Sequence, residues 1–448
     1  MPRVIDIHCH IATPETRPMA QPHRRSEYEP YDHFMGQDSK DHNVTTLIPS
    51  IGAQLSEPAA RIEYMDRMGV DVQGLATFVS EYFYWTPGRL GAELARMQND
   101  KIAQAVADHP DRYAMCGATV PLQDIDLAIS EMDRAVDDLG AKGLQIGGTI
   151  DGHNLDEARF RPFWQAVAAK GIPVILHPSG YPESNRFTEY FLTNCIGNPL
   201  ETMVAVTRMI FSGLFEELPD LKLVLLHGGG YLPFYAARAD HTWEVRPETR
   251  VAIPDHPPSH YVKGLYYDTM VFQPMYVRHL IEVVGSDRVM LGTDYPFDMG
   301  ETDPVGLVDS VEGLSDDERA AIKGGNAERL FGLSRRLLPP RGRWIGPQVR
   351  DGGGRSFLPP RGRWLTPPGV RRRGPCFLPP RGRWMTPPGV RRRGRRSPPP
   401  RLRRYSPQEG PKSPPPRLRR DSPQEGEKLD TPRRTGPNAV SSPLGGGG

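Results

Sequence analysis

Eight short apolar runs punctuate the chain, at 3–8, 73–79, 113–119, 142–147, 172–177, 222–227, 265–269 and 288–293. Each is near-continuous in apolar residues rather than alternating, the pattern of parallel strands buried on both faces. Between them lie longer stretches with helical spacing of apolar positions, among them 59–68, 91–108, 124–139, 156–169 and 199–216. Eight strands alternating with helices over this length predict an α/β fold, a (β/α)8 TIM barrel. A doubly wound open sheet is the runner-up, but no glycine-rich nucleotide fingerprint follows the first strand. Two segments exceed the minimal barrel. Residues 11–58, polar and rich in Pro and Gly, fall between the first strand and its helix and predict a lid over the C-terminal mouth. Residues 178–198 follow the fifth strand and are expected to line the same mouth.

The pattern stops near residue 334. LLPPRGRW at 337–344 returns as FLPPRGRW at 357–364 and 377–384, and TPPGVRRRG occurs at 366–374 and 386–394. SPPPRLRRYSPQEG at 397–410 returns with one change at 413–426. Residues 335–448 hold 24 of the 48 prolines. Proline blocks helix and sheet ladders, and so few apolar residues cannot offset the entropy of ordering. The sequence therefore divides into a globular unit, 1–334, and a disordered Pro/Arg-rich repeat tail, 335–448.

Charge follows the same division. Residues 1–334 carry 28 Lys+Arg and 48 Asp+Glu, a net of −20, while residues 335–448 carry 28 and 6, a net of +22. The overall +2 is a cancellation. The runs Arg371–Arg373 and Arg391–Arg393, with Trp344, Trp364 and Trp384, have the chemistry of a nucleic-acid or polyanion contact. Near-exact repeats unlike anything upstream read better as an appended, duplicated segment, so nucleic-acid binding is not the favoured function. The four cysteines, Cys9, Cys116, Cys195 and Cys376, form no CxxC pair and point to a reducing, cytoplasmic location. No signal-peptide pattern opens the chain and no apolar stretch suits a membrane span.

Chemistry concentrates at the ends of the apolar runs. The first runs into His8-Cys9-His10; alternation on a strand turns both imidazoles to the barrel axis and Cys9 toward the helices. The fifth ends at His177, the sixth at His227 and the eighth at Asp294. In a closed barrel these ends converge at the C-terminal face. One such residue is ordinary, but the set together predicts a catalytic metal. Zinc suits a His3Asp set with an open position, and manganese accepts the same donor types. Such a site lowers the pKa of a bound water toward neutrality. His227 is either a ligand or a proton carrier beside the metal. Asp268, at the end of the seventh run, is a second carboxylate at the mouth, placed to orient His227 or Arg238 or to make an ordinary strand-end hydrogen bond.

The stretches IDIHCHI, RIEYMDRMGVDVQGLAT, AKGLQIGG, VILHPSG, GNPLET, FEELPDLKLVLLHGGGYLPF, VMLGTDYPF and GNAERLFGL, in this order, resemble the amidohydrolase-related decarboxylases of the metal-dependent hydrolase superfamily. The resemblance spans residues 3 to about 333. It implies zinc held by His8, His10, His177 and Asp294, proton transfer or water activation by His227, and a grip on a substrate carboxylate by Arg238. It implies nonoxidative decarboxylation of a small aromatic or conjugated carboxylate, and a homodimer. The segment Asp41–Ala60 lacks the arginine expected in that family's lid, which suggests a substrate with fewer carboxylates or one held by hydrogen bonds. Tyr84, Trp85, Phe187 and Phe191 are candidates for an aromatic wall. A hydrolase or hydratase acting on a lactone or unsaturated acid is the alternative, since both chemistries begin with an activated water.

Overall fold

A computed structural model describes residues 3–333. The expectations placed on 335–448 lie outside the described residues.

Eight parallel strands form the sheet: β1 (Ile5–Ile11), β2 (Val72–Thr77), β3 (Tyr113–Gly117), β4 (Leu144–Ile146), β5 (Val174–Leu176), β6 (Leu223–Leu225), β7 (Tyr266–Asp268) and β8 (Val289–Met290). β1 to β3 pair in order, as do β4 to β8. The parallel bridges Ala118↔Leu144 and Cys9↔Tyr295 join the two arcs into a closed (β/α)8 barrel. All eight apolar runs became strands because each is buried on both faces. The outward faces of Leu75, Met115, Leu144, Leu176, Leu223 and Val289 share a core with Met132, Phe163, Trp164, Val206 and Leu280 of the surrounding helices. A second cluster, Ile5, Ile7, Val72, Ile175, Val224 and Met290, is closed by Ala327 and Phe331 near the end of the described chain.

The helices follow the predicted spacing with local corrections. The helix Ile125–Asp137 starts where Asp124 accepts the Leu127 N–H and buries Ala128, Met132 and Ala135. The stretch 199–216 is two helices, Asn198–Phe211 and Leu214–Glu217. Gly213 between them takes φ of 77°, a conformation that ends a helix. A small antiparallel hairpin, Thr149–Ile150 with His153–Asn154, follows β4 and was not expected. β1 continues to Ile11, past the predicted end, and a register shift between Asp6 and Cys9 interrupts its alternation. The insertion after β1 folds into short helices, Thr16–Ala20, Pro30–Phe34, Gln37–His42 and Ile48–Ser56, with 3-10 and π turns among them. Arg61, fully buried just beyond it, donates from its guanidinium to the His10 carbonyl at 2.8 Å and so ties this segment's end to β1. No helix among the described residues is long and apolar enough to cross a membrane.

Candidate metal centre

The C-terminal ends of β1, β5, β6 and β8 bring His8, His10, His177, His227 and Asp294 together. The imidazole centroids of His8 lie 5.3 Å from His10, 5.1 Å from His177 and 4.9 Å from His227. Asp294 sits among them: its Oδ1 is 3.0 Å from His10 Nε2 and 3.3 Å from His8 Nε2, and its Oδ2 is 3.5 Å from His227 Nε2. Ligand atoms of His8, His177, His227 and Asp294 all lie within 4.8 Å of one another. His8, His10, His177 and Asp294 are buried, while the His227 side chain keeps 16% of its surface exposed.

Local backbone serves this convergence. His227 and Asp294 both take left-handed φ, 56° and 59°, which costs a non-glycine residue of order 1 kcal/mol. The surroundings hold both turns. The N–H of Asp294 donates to the His8 carbonyl at 2.8 Å, and the N–H of Gly228 donates to Asp268 Oδ1 at 2.7 Å. Gly292 has no room for a side chain, because a Cβ there would stand 2.9 Å from His8 Cβ and 2.8 Å from Asp268 Cβ.

Two buried carboxylates not assigned a firm role from sequence support the first strand. Asp268 Oδ2 accepts from His8 Nδ1 at 2.7 Å. Asp6 accepts the His8 N–H at 3.0 Å and the Thr293 hydroxyl at 2.7 Å, and burial pushes its carboxyl up to about 6. Burial opposes a charge on His8, but Asp294 and Asp268 outweigh it and raise that imidazole to about 10. Burial and the neighbouring imidazoles hold His177 well below its ordinary range. Asp294 stays far below the usual carboxylate range, because the surrounding histidines overcome the cost of burial.

This donor set fits a divalent cation. His177 donates Nδ1–H to the Pro178 carbonyl at 2.7 Å, which leaves the lone pair on Nε2. That Nε2 is buried with no hydrogen-bond partner among the described residues. Two buried carboxylates flank His8, a surplus of negative charge that a cation would neutralise.

A cavity of about 650 Å³ opens beside this centre. His10, His177 and Asp294 line its floor, Phe78, Phe191 and Phe297 its walls, and Leu47, Ile48 and Leu55 of the insertion its roof. The expected lid and the segment after β5 therefore both meet the mouth. Of the aromatic candidates, Phe191 joins the wall, whereas Tyr84 and Trp85 line a smaller adjoining cavity of about 120 Å³. Phe187 is not among the residues lining either cavity. Phe78 and Phe297 went unmarked in the sequence.

The amidohydrolase family model matches residues 5–333. The chain belongs to the amidohydrolase family. Over 329 residues this amidohydrolase is 32% identical to 2-amino-3-carboxymuconate-6-semialdehyde decarboxylase of Dictyostelium discoideum, covering 73% of this chain and 91% of that protein. It is 30% identical over 293 residues to gamma-resorcylate decarboxylase of Rhizobium sp., covering 61% of this chain and 86% of that one. Its fold is similar to a crystal structure of dihydroxybenzoic acid decarboxylase from Polaromonas sp., solved with manganese and 2-nitroresorcinol, with TM-score 0.63, 27% identity and coverage of 74% and 98%. These relatives are decarboxylases, and the Polaromonas one is seen with manganese.

Arg238 is the candidate that the structure leaves apart. It lies exposed on the helix Leu232–Val245 and is absent from the cavity lining. Arg17, from the first lid helix, lines the cavity instead.

Proposed function

We propose that this amidohydrolase is a metal-dependent nonoxidative decarboxylase, a carboxy-lyase acting on an aromatic or conjugated unsaturated carboxylate. The observation that carries the reading is the junction of the His/Asp centre with an apolar, aromatic-walled cavity: His10, His177 and Asp294 belong to both. His8, His10, His177 and Asp294 would hold the cation, zinc by donor type, with manganese served by the same imidazoles and carboxylate. When bound, it supplies Lewis-acid polarisation of a substrate oxygen.

The chain's own groups do the rest. Phe78 and Phe297 hold a flat substrate and exclude water. Asp294 keeps the imidazoles aligned. His227, less buried than the other three histidines, delivers a proton to the carbon that loses its carboxylate. The C–C bond breaks, CO2 departs, and its bonding electrons take up that proton as a C–H bond.

The same reading makes residues 1–334 the catalytic unit and 335–448 an appended segment, in a cytoplasmic homodimer. Free Cys9, Cys116 and Cys195 suit that compartment. A dimer would reconcile the position of Arg238 with the carboxylate grip that the resemblance implies. An exposed arginine away from its own cavity grips a substrate carboxylate only if a second copy brings a cavity to it. Tyr235, Met275 and Tyr276, respectively 56%, 68% and 46% exposed, give this face of the barrel apolar surface of the kind that subunits bury.

The test uses the full chain loaded with zinc or manganese. It is incubated with a panel of aromatic and muconate-like carboxylates and lactones, and product masses are read. Loss of CO2 that vanishes in Asp294→Asn is the expected result. Gain of water without CO2 release would move the protein to the hydrolase or hydratase alternative.

A further inference from the structure

Among the residues lining the cavity, Arg17 is the single Lys or Arg. The other charged lining residues are acidic: Asp32, Glu81, Asp294 and Asp298. Each of these has its own counter-group. Asp32 lies 3.6 Å from the Arg24 guanidinium, Asp298 lies 3.5 Å from His42, and Asp294 belongs to the metal centre. Glu81 serves Arg17. Its Oε1 accepts from Arg17 Nε at 3.2 Å, and its Oε2 accepts the Thr13 N–H at 2.7 Å. The Glu81 side chain is fully buried, so it is a fixed anchor. It engages the inner nitrogen of the guanidinium. Among the described residues, the terminal pair of nitrogens has no hydrogen-bond acceptor. A guanidinium held at Nε, with both terminal nitrogens open, is arranged for bidentate capture of a carboxylate.

An aromatic run links this fork to the metal centre. The Arg17 Cζ stands 5.5 Å from the Phe78 ring centroid, Phe78 is 5.2 Å from Phe297, and Phe297 is 5.4 Å from His10. A planar acid lying along Phe297 and Phe78, with one carboxyl at the His10 end, turns its opposite edge toward Arg17. We infer that Arg17 is a specificity-determining residue, binding an acidic substituent on the edge of the substrate remote from the His/Asp centre. The substrate class narrows accordingly to aromatic or conjugated acids with a second acidic group. The missing cation in Asp41–Ala60 is replaced by one from earlier in the same insertion. This inference rests on the decarboxylase reading for which edge reacts. The recognition itself is a matter of binding, so the two are tested separately.

The experiment uses the metal-loaded full chain and two non-reacting probes. 4-Hydroxy-3-nitrobenzoate carries a remote carboxylate, and 2-nitrophenol lacks it. The unmodified enzyme is expected to bind the first about ten- to a hundredfold more tightly, the range for a charge-assisted hydrogen-bond pair. Arg17→Gln should abolish that preference while leaving 2-nitrophenol binding unchanged, and any fall in melting temperature reports the lost partner of buried Glu81. Arg17→Lys should restore part of it. In turnover, the KM for 4-hydroxybenzene-1,3-dicarboxylate should rise in Arg17→Gln with little change in kcat. An unmodified enzyme with no preference between the probes overturns the inference, as does a variant that weakens both alike, which is what a purely structural Arg17–Glu81 pair would give. Preference lost in Arg17→Gln, with no CO2 released by the unmodified enzyme, supports the inference and removes the decarboxylase reading. CO2 release with no Arg17-dependent preference does the reverse.

Discussion

His8 donates from Nδ1 to Asp268 Oδ2 across 2.7 Å, both side chains fully buried, while Asp268 Oδ1 takes the Gly228 N–H at 2.7 Å. One carboxylate thus fixes the tautomer of a β1 histidine and the turn that carries His227. With Nδ1–H held by Asp268, His8 turns Nε2 toward Asp294, and a bound cation there would take the place of the Nε2 proton that the two carboxylates otherwise favour. Asp268→Asn puts an amide N–H against Nδ1 and favours the opposite tautomer, with the proton on the nitrogen that a metal needs. Metal affinity should fall about 10- to 100-fold, with the fold retained. Competition against a chromophoric chelator, with a melting curve as control, reads both, and unchanged affinity would remove Asp268 from the support of the centre.

Stripping metal with a chelator should abolish decarboxylation and lower the melting temperature, because a ligand that binds only the folded state stabilises it by about 4 kcal/mol at a thousandfold excess over its Kd. Restoring zinc or manganese should return both. In Asp294→Asn the activity should drop on the order of a thousandfold, the scale of a lost Lewis acid, and added metal should raise the melting temperature less. If the chelated protein keeps full activity and stability, the donor set is not a metal site.

Gly292 packs against both His8 and Asp268. A Cβ there would lie 2.9 Å from Asp268 Oδ2 and 2.9 Å from His8 Cβ, closer than packed atoms tolerate. Its own N–H is held by the Thr269 hydroxyl at 3.3 Å, so the backbone has little freedom to retreat. Gly292→Ala should destabilise by about 1–3 kcal/mol and weaken metal binding as the His8–Asp268 pair is forced apart. Denaturant midpoints and metal titration measure the two effects. A variant indistinguishable from the parent in both would mean that the site relaxes around a methyl group.

The barrel and the convergence of the His/Asp cluster were legible because each rests on a rule that needs no tertiary detail. Near-continuous apolar runs such as VILH and LVLLH mark strands buried on both faces, and histidines at their ends must meet once the sheet closes. Asp6, two residues before His8, went unmarked, because a lone carboxylate inside a strand gives no sign of what it will hydrogen-bond. Arg17, Phe78 and Phe297 were not legible. They come from an irregular insertion and from loops, whose path over the mouth no periodicity encodes. The break at Gly213 was a local signal available in the sequence, since glycine is the residue that takes left-handed φ at a helix end. Arg238 shows the opposite limit: the resemblance implies a role for it, but the structure leaves it exposed and away from the cavity.

Glu201 offers a test away from the metal. It lies in the first turn of the helix Asn198–Phe211, where the helix dipole welcomes a carboxylate, but burial wins and pushes it up to about 8, opposed by a hydrogen bond with Thr149 and helped by Glu183. In the unfolded chain it ionises near its ordinary value of 4.5. Below that pH both states hold the proton, and the stability that Glu201 contributes is fully present. Between 4.5 and about 8 the unfolded state has lost the proton that the folded state keeps, so stability falls by about 1.4 kcal/mol per pH unit and levels off above. Glu201→Gln has the same shape and no proton to lose. Its stability should match the parent near pH 5 and exceed it by a few kcal/mol near pH 9. Urea midpoints of the two proteins across that range decide the matter. Curves that stay parallel would show that Glu201 ionises freely in the folded protein, with the burial cost met by water or by movement of the Thr149 hairpin.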